Sequence, residues 1–322
     1  MIPCDKPTRK HAKYDALIYA CHALAPVRTA VVHPCDETSL RAAFEAAEAK
    51  IIRPLLIGPE ARIRTLAATF KLDISAQRII DAPFSHASAA RAVEIVRSGE
   101  ADALMKGSLH TDELLAEVTK EETGLRTSRR ISHVFIMDVP SYPKPLFITD
   151  AAVNIFPTLE DKVDIVQNAI ELAQALRVDR PKVAILSAVE TITSKIPSTI
   201  DAAALCKMAD RGQITGALLD GPLALDNAIN RDAANIKHIS SPVAGDADIL
   251  LVPDLEAGNM LAKELIFLAD ADAAGIVLGA RVPIILTSRA DNVRNRMASC
   301  AVAALYAHAR RVSVLEIGKL TD

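Results

Sequence analysis

Aromatic side chains are nearly missing from this sequence. There is no tryptophan, and all aromatic residues together make up 3% of the 322 residues. Half of the residues are hydrophobic all the same, so the core is large and made of Ala, Val, Ile and Leu. That composition suits parallel strands covered by Ala-rich helices better than a sandwich or barrel built on aromatic pairs. Cysteine is sparse and scattered. Cys4, Cys21, Cys35, Cys206 and Cys300 are odd in number and form no Cys-x-x-Cys pair, which argues against a disulfide framework and against a cysteine zinc site. Long apolar runs are missing too: the longest are strand-length, well short of the ~18 residues of a membrane span. No stretch concentrates Lys and Arg, and the net charge is -3, so neither a nucleic-acid nor a membrane partner is expected. The segment Met1 to Tyr14 is polar, with Lys6, Arg9, Lys10 and Lys13. It lacks the apolar stretch of a signal peptide, so the expected compartment is the cytoplasm.

Several catalytic signatures are also absent. There is no Gly-x-x-x-x-Gly-Lys-Ser/Thr loop, no Gly-x-Gly-x-x-Gly, no His-Glu-x-x-His and no Gly-x-Ser-x-Gly. A Walker-type nucleotide hydrolase, a standard dinucleotide fold, a zincin and an α/β-hydrolase are each disfavoured.

What is present is alternation. Thr29–His33, Arg53–Gly58, Arg78–Asp81 and Ala101–Met105 read as strands, separated by helices over 37–50, 60–70 and 85–98. In the first of these helices Thr38 or Ser39 is the expected cap, and Leu40, Ala43, Phe44 and Ala47 fall at helical spacing. Ser132–Met137 and Pro145–Thr149 read as strands of a hairpin, joined by the Pro-rich Val139–Pro143. Alternation then resumes, with helices over 162–176, 199–210, 259–268 and 293–310, and strands at 182–186, 216–220, 248–252, 275–278 and 282–286. Repeated strand-helix units mean an α/β fold with parallel strands and helices on both faces. Two blocks are expected: residues 1–138 with 290–322 as a discontinuous first domain, and 139–289 as the second.

In open parallel sheets ligands bind beyond the carboxyl ends of the strands. Polar groups recur there: Lys106-Gly-Ser-Leu-His-Thr111, Asp150 with Asn154, Ser187 with Glu190, Asp220-Gly-Pro-Leu-Ala-Leu-Asp226, Pro253-Asp-Leu-Glu-Ala-Gly-Asn259 and Thr287-Ser-Arg-Ala-Asp291. Taken singly, each has a structural explanation, since glycines permit tight turns and Ser or Asp caps helices. Together they exceed what turns need and predict one polar cleft. Ser288 and Arg289 are the most informative pair. A helix start favours negative charge, and a guanidinium adds bidentate recognition of phosphate oxygens. Lys106 is a candidate phosphate or carbonyl contact, and His110 a candidate acid/base or hydrogen-bond donor. Arg126, Arg129 and Arg130 form a third cluster before a strand. The scattered histidines show no metal-ligand spacing.

These segments together resemble the phosphate acetyltransferase/phosphate butyryltransferase family, from about Ser85 to Ala309. The resemblance is best in Met105–Leu114, Thr149–Ile155, Asp220–Asp226, Pro253–Asn259 and Leu286–Asp291. It implies two doubly wound α/β domains with an interdomain cleft, of the kind shared with isocitrate and isopropylmalate dehydrogenases, and a homodimer. It also implies the reversible reaction of acyl-CoA with phosphate to give acyl phosphate and CoA. Coenzyme A is then a co-substrate, with no cofactor bound permanently and no metal.

In the acetyl branch an Arg before the middle strand and a Ser-Arg pair serve the phosphate and the thioester. Arg130, Ser288 and Arg289 match these. The Asp that acts as base in that branch falls at Asn295 here, and Asp291 is the nearest carboxylate. The Ser-Arg-Ala-Asp and Lys-Gly-Ser-Leu-His-Thr forms resemble the butyryl branch more closely. On this scheme Arg289 and Arg130 hold phosphate, and Ser288 donates to the carbonyl oxygen. Asp291 or Asp226 accepts the thiol proton or orients an Arg. Asp254 and Asn259 shape the cleft wall, and Lys106, Asp150, Asn154 and Asp220 add substrate contacts. Two competitors stand beside it: a metal- and NAD-dependent decarboxylating dehydrogenase using Asp220, Asp226 and Asp254, and a relative that binds CoA without turnover.

Overall fold

A computed structural model describes residues 12–287 and 293–320, with side chains of the last helix described through 312. The chain divides into two compact units. A flanking unit holds Tyr14–Arg129 together with the segment from Ala274 onward. A mid-chain unit holds Arg130–Ala273 together with the segment ending at Lys13. The chain crosses between units at 13/14, 129/130 and 273/274, whereas crossings at 138/139 and 289/290 were expected. Strand pairing gives the reason. Strand β5 (Ser132–Asp138) is bonded antiparallel to β6 (Leu146–Thr149), so the hairpin stays whole. Strand β10 (Asp272–Leu278) pairs antiparallel with β11 (Ile284–Ile285), which pairs parallel with β4 (Ala103–Lys106).

In the flanking unit the remaining strands are β1 (Val27–Val32), β2 (Ile52–Gly58) and β3 (Arg78–Asp81). The order across the sheet is β3-β2-β1-β4-β11-β10. The first five of these run parallel, so all of them end on one edge. Between them lie α2 (Glu37–Glu48), α3 (Glu60–Thr69) and α4 (Ser85–Arg97). The cap of α2 is Asp36, which accepts from the Ser39 amide at 2.7 Å, rather than Thr38 or Ser39. Leu40, Ala43 and Ala46 then fall on its buried face. Two further helices, α1 (Ala12–Cys21) and α5 (Thr111–Val118), have weaker sequence signals; α5 follows β4 directly.

In the mid-chain unit the order is β5-β6-β9-β7-β8, with β7 at Lys182–Leu186, β8 at Leu218–Leu223 and β9 at Ile249–Leu251. Strands β6, β9, β7 and β8 are parallel and β5 is antiparallel. The start of β5 therefore lies on the same edge as the ends of the other four. All three residues of β9 are buried, each such aliphatic side chain contributing about 1.5–3 kcal/mol of burial. Helix α6 (Leu159–Ala175) begins at a reciprocal capping box of Thr158 and Asp161. Pro197 opens α7 (Pro197–Asp210), where its missing N–H costs nothing. Short helices α8 (Leu225–Ile229) and α9 (Arg231–Ile236) follow β8, and α10 (Leu255–Leu268) follows β9. Helix α11 (Val293–Leu320) is the last element of the flanking unit. Among the described residues, no helix is long and apolar enough to cross a membrane.

Candidate active-site residues

Each unit gathers polar residues at its strand ends. In the mid-chain unit the central group is Asp150, 2% exposed, at the end of β6. Its Oδ1 accepts from the amides of Ala152 and Val153 at 2.9 and 3.0 Å. Its Oδ2 accepts from the amides of His133 and Asn154 at 3.1 and 3.2 Å, and from Asn154 Nδ2 at 2.6 Å. Five N–H donors occupy both oxygens. The carboxylate thereby ties the loop after β6 to the start of β5 through the His133 amide.

What that loop positions is Arg130. Asn154 Nδ2 is fixed by Asp150 and by the Ile131 carbonyl at 2.9 Å, which turns its Oδ1 to accept from Arg130 Nε at 2.8 Å. Asp161 holds Arg130 Nη1 at 3.2 Å, and the Arg130 side chain is still 52% exposed. The Arg130 amide donates to Asp164 at 2.8 Å. The guanidinium is thus held at two of its nitrogens and half open to water, a geometry suited to forking onto an anion. Asp161, which was not singled out from the sequence, joins this group and also closes the capping box of α6.

His133 was not singled out from the sequence. It is 1% exposed, stacks edge-on against Phe135, and its Nδ1 has no partner among the described residues. Burial drives its pKa well below the ordinary imidazole value, opposed by the nearby Asp150 charge. The ring is neutral at pH 7.

The other mid-chain candidates are tied differently. Lys237 bridges Asp226 at 3.1 Å and Glu190 at 3.3 Å, on the exposed side of the loops after β8 and β7. The Lys237 bond holds the Asp226 carboxyl below the usual range. Asp220 accepts from the Gly221 amide at 2.9 Å. Asp254 caps α10 through the Ala257 amide at 2.9 Å, and Asn259 donates to the Ala151 carbonyl at 3.2 Å. Between them Gly258 lets α10 approach the loop closely: a Cβ there would lie 3.0 Å from the Asp150 carbonyl oxygen. Pro253–Asn259 is therefore mainly a clamp of α10 on the Asp150 loop. Among the described residues, no three His, Cys, Asp or Glu side chains are grouped to hold a metal ion. Asp220, Asp226 and Asp254 do not form the cluster that the dehydrogenase reading needs.

In the flanking unit the segment after β4 lies against the segment after β1. Gly107 donates to the Val32 carbonyl at 2.8 Å, and Ser108 N and Oγ both reach the His33 carbonyl, at 2.9 and 3.0 Å. A Cβ on Gly107 would sit 2.2 Å from the Val32 oxygen, so only glycine fits. Lys106 is 9% exposed, with Nζ donating to the Gly107 carbonyl at 3.3 Å. His110 occupies the cap position of α5 and is exposed, with no side-chain cap bond. His33 is a neighbour that sequence reading missed. Its Nδ1 lies 3.0 Å from Ser88 Oγ, and burial together with Arg62 lowers its pKa. Ser288, Arg289 and Asp291 lie outside the described residues, which stop at Thr287 before that segment and resume at Val293. Asn295, where a carboxylate was expected by resemblance, is 5% exposed in α11.

Comparison with known proteins adds four findings. A family model described as "Phosphate acetyl/butaryl transferase" matches residues 84–304. A phosphate acetyltransferase of Rhizobium meliloti is 67% identical over 302 residues, covering 94% of this chain and 96% of the relative. The crystal structure of a branched-chain phosphotransacylase from Enterococcus faecalis V583 superposes with a TM-score of 0.76 at 31% identity, covering 88% of this chain and 99% of the other. A 4-hydroxythreonine-4-phosphate dehydrogenase from Klebsiella pneumoniae reaches 0.52 at 11% identity over 88% of this chain and 99% of its own. That last likeness concerns the fold alone.

Proposed function

This chain belongs to the phosphate acetyl/butaryl transferase family and is an acyltransferase, and from that premise we propose that it exchanges a short acyl group, acetyl first, between coenzyme A and inorganic phosphate. The observation that carries the phosphate half of this reading is the Arg130 guanidinium, held by Asn154 and Asp161 and still open to solvent. The preference for acetyl rests on the 67% identical relative named for that activity.

In the direction of acetyl-CoA synthesis, the CoA thiol loses its proton and its sulfur attacks the carbonyl carbon of the acyl phosphate. The C–S bond forms, the tetrahedral oxyanion collapses, and the C–O bond to phosphate breaks. A free thiol titrates near ~8.5, so a nearby base or positive field speeds the first step. The oxyanion needs donors and the leaving phosphate needs positive charge. Arg130 and Arg289 are assigned to phosphate oxygens, and Ser288 to the carbonyl oxygen. Asp291 is the proposed proton acceptor, now that Lys237 occupies Asp226. Lys106 and His110 serve the acyl or phosphate oxygens. The reading includes a homodimer in the cytoplasm, which light scattering of the purified chain tests for the oligomer.

Release of CoA thiol from acetyl-, propionyl- and butyryl-CoA with phosphate is the direct test. Acetyl-CoA is expected to react fastest, and no release from any of the three would overturn the assignment. Arg289→Ala should lose at least ~100-fold in rate, the size of one oxyanion or phosphate contact.

A further inference from the structure

The strand ends are one edge of the flanking unit; the strand starts are the other. There the structure holds two adjoining grooves, of about 840 and 470 Å3, which share Asp102 and Arg311 as a common wall. Arg28, Lys50, Arg53 and Arg78 line the larger groove. Arg281 and Arg310 line the smaller. Seven lining cations thus face two carboxylates, Asp102 and Glu100, in a chain whose net charge is -3.

The carboxylates do not cancel the cations; they arrange some of them. Asp102 accepts from Arg28 Nε and Nη2 at 2.7 and 2.8 Å and also pairs with Arg311. Glu100 pairs with Arg78 at 2.9 Å. Lys50, Arg53 and Arg281 have no carboxylate partner among the described residues. The C-terminal end of α2 borders the groove through Ala47 and Lys50. Its pole of about half a negative charge offsets only part of one cation. The larger groove also has apolar lining: Pro26, Ile52, Pro54 and Ala76, beside the amide of Gln77. An inorganic anion would use the cations and leave that lining bare. Sites for drug-sized ligands run to about 300–1,000 Å3, and the larger groove falls in that range.

We propose that this groove is a second binding site, apart from the strand-end residues assigned to chemistry, and that it takes a nucleotide. The flat ring lies on the apolar lining with Gln77 at its edge, and the phosphates lie among Arg28, Lys50 and Arg53. Guanidinium groups suit both parts, since they stack on rings and fork onto phosphate oxygens. The same chemistry is offered by a free nucleoside triphosphate and by the phosphorylated adenosine end of coenzyme A.

Calorimetric titration of the full chain with ATP, with CoA and with pyrophosphate tests this, alongside the double variant Lys50→Ala/Arg53→Ala. Both residues are exposed and outside the proposed chemistry. The expected result is saturable ATP binding that weakens at least ~10-fold in the variant, as loss of charged contacts to phosphate implies, while acetyl transfer stays within about twofold of the parent. ATP held at the CoA site instead would be untouched by these substitutions. CoA binding at two equivalents in the parent and one in the variant identifies CoA as the occupant. One equivalent in both, with ATP binding lost, identifies a free nucleotide. Unchanged ATP affinity in the variant, no ATP binding at millimolar concentration, or pyrophosphate binding as tightly as ATP would each overturn the proposal. The ATP arm stands even if the chain turns over no acyl-CoA, so the two readings fail separately.

Discussion

Asp150, in the loop after β6, and Asp226, in the first turn of α8 after β8, both follow parallel strands, yet the two carboxylates are used in opposite ways. Asp150 is buried and accepts five N–H donors from its own neighbourhood. Asp226 is exposed and meets one lysine from α9's far side, Lys237. Burial decides the difference. A buried carboxylate must be fully satisfied, and so becomes a fixed point on which Asn154 and then Arg130 are hung. An exposed carboxylate is solvated already, and its pair with Lys237 is screened and adds little.

Three substitutions break or sharpen that contrast. Asp150→Ala has the largest expected effect, because it strands several buried donors. Unfolding in urea should show a loss of about 3–5 kcal/mol, the range for removing one partner from a buried charged network. A loss under about 1 kcal/mol would mean that water replaces the carboxylate and that the loop is not built on it. Asn154→Ala leaves the fold largely in place and removes the acceptor for Arg130 Nε. The Michaelis constant for phosphate should rise about tenfold, the value of one good hydrogen bond to a charged group, with the constant for CoA nearly unchanged. Equal changes in both constants would point to a general loosening instead of mispositioning of Arg130. The smallest effect is expected for Asp226→Asn, which should alter turnover by less than about threefold. A ~100-fold loss, the size of a missing general base, would restore Asp226 as the proton acceptor despite Lys237.

The legible parts of the fold were the periodic ones. The hairpin of β5 and β6, the helix at 85–97 and the parallel strands at 27–32, 52–58 and 182–186 all have strong alternation or helical spacing, and they form within a few residues of expectation. Less was legible where packing outweighs pattern. Strand β11 shrinks to two residues, Ile284 and Ile285, and β10 extends over 272–278. Asp36 takes the cap of α2 because it precedes the first turn with the extended backbone a cap requires. Among the candidate site residues, Asn154 was named from its position after a strand and Arg130 from the family resemblance, and the structure joins the two by a hydrogen bond. Lys237 was not named, because nothing local in a Lys 47 residues from Glu190 announces that the two will meet. Asp161 carried a sequence signal, the Thr158-x-x-Asp161 box, but the signal named a cap and not its second partner, Arg130.

The basic groove of the flanking unit shows the limit most sharply. Its cations come from positions 28, 50, 53, 78, 281, 310 and 311, and no window of the sequence is rich in Lys and Arg. By itself the sequence determined the class of fold, the strand ends on which polar residues fall, and, through its motifs, the family. These depend on local periodicity and on residue type, which any short stretch carries. Only the tertiary structure decided which of those polar groups are spent on one another, which stay open, and that seven scattered cations gather at one edge. Those outcomes depend on which strands become neighbours, and burial and pairing are properties of neighbours.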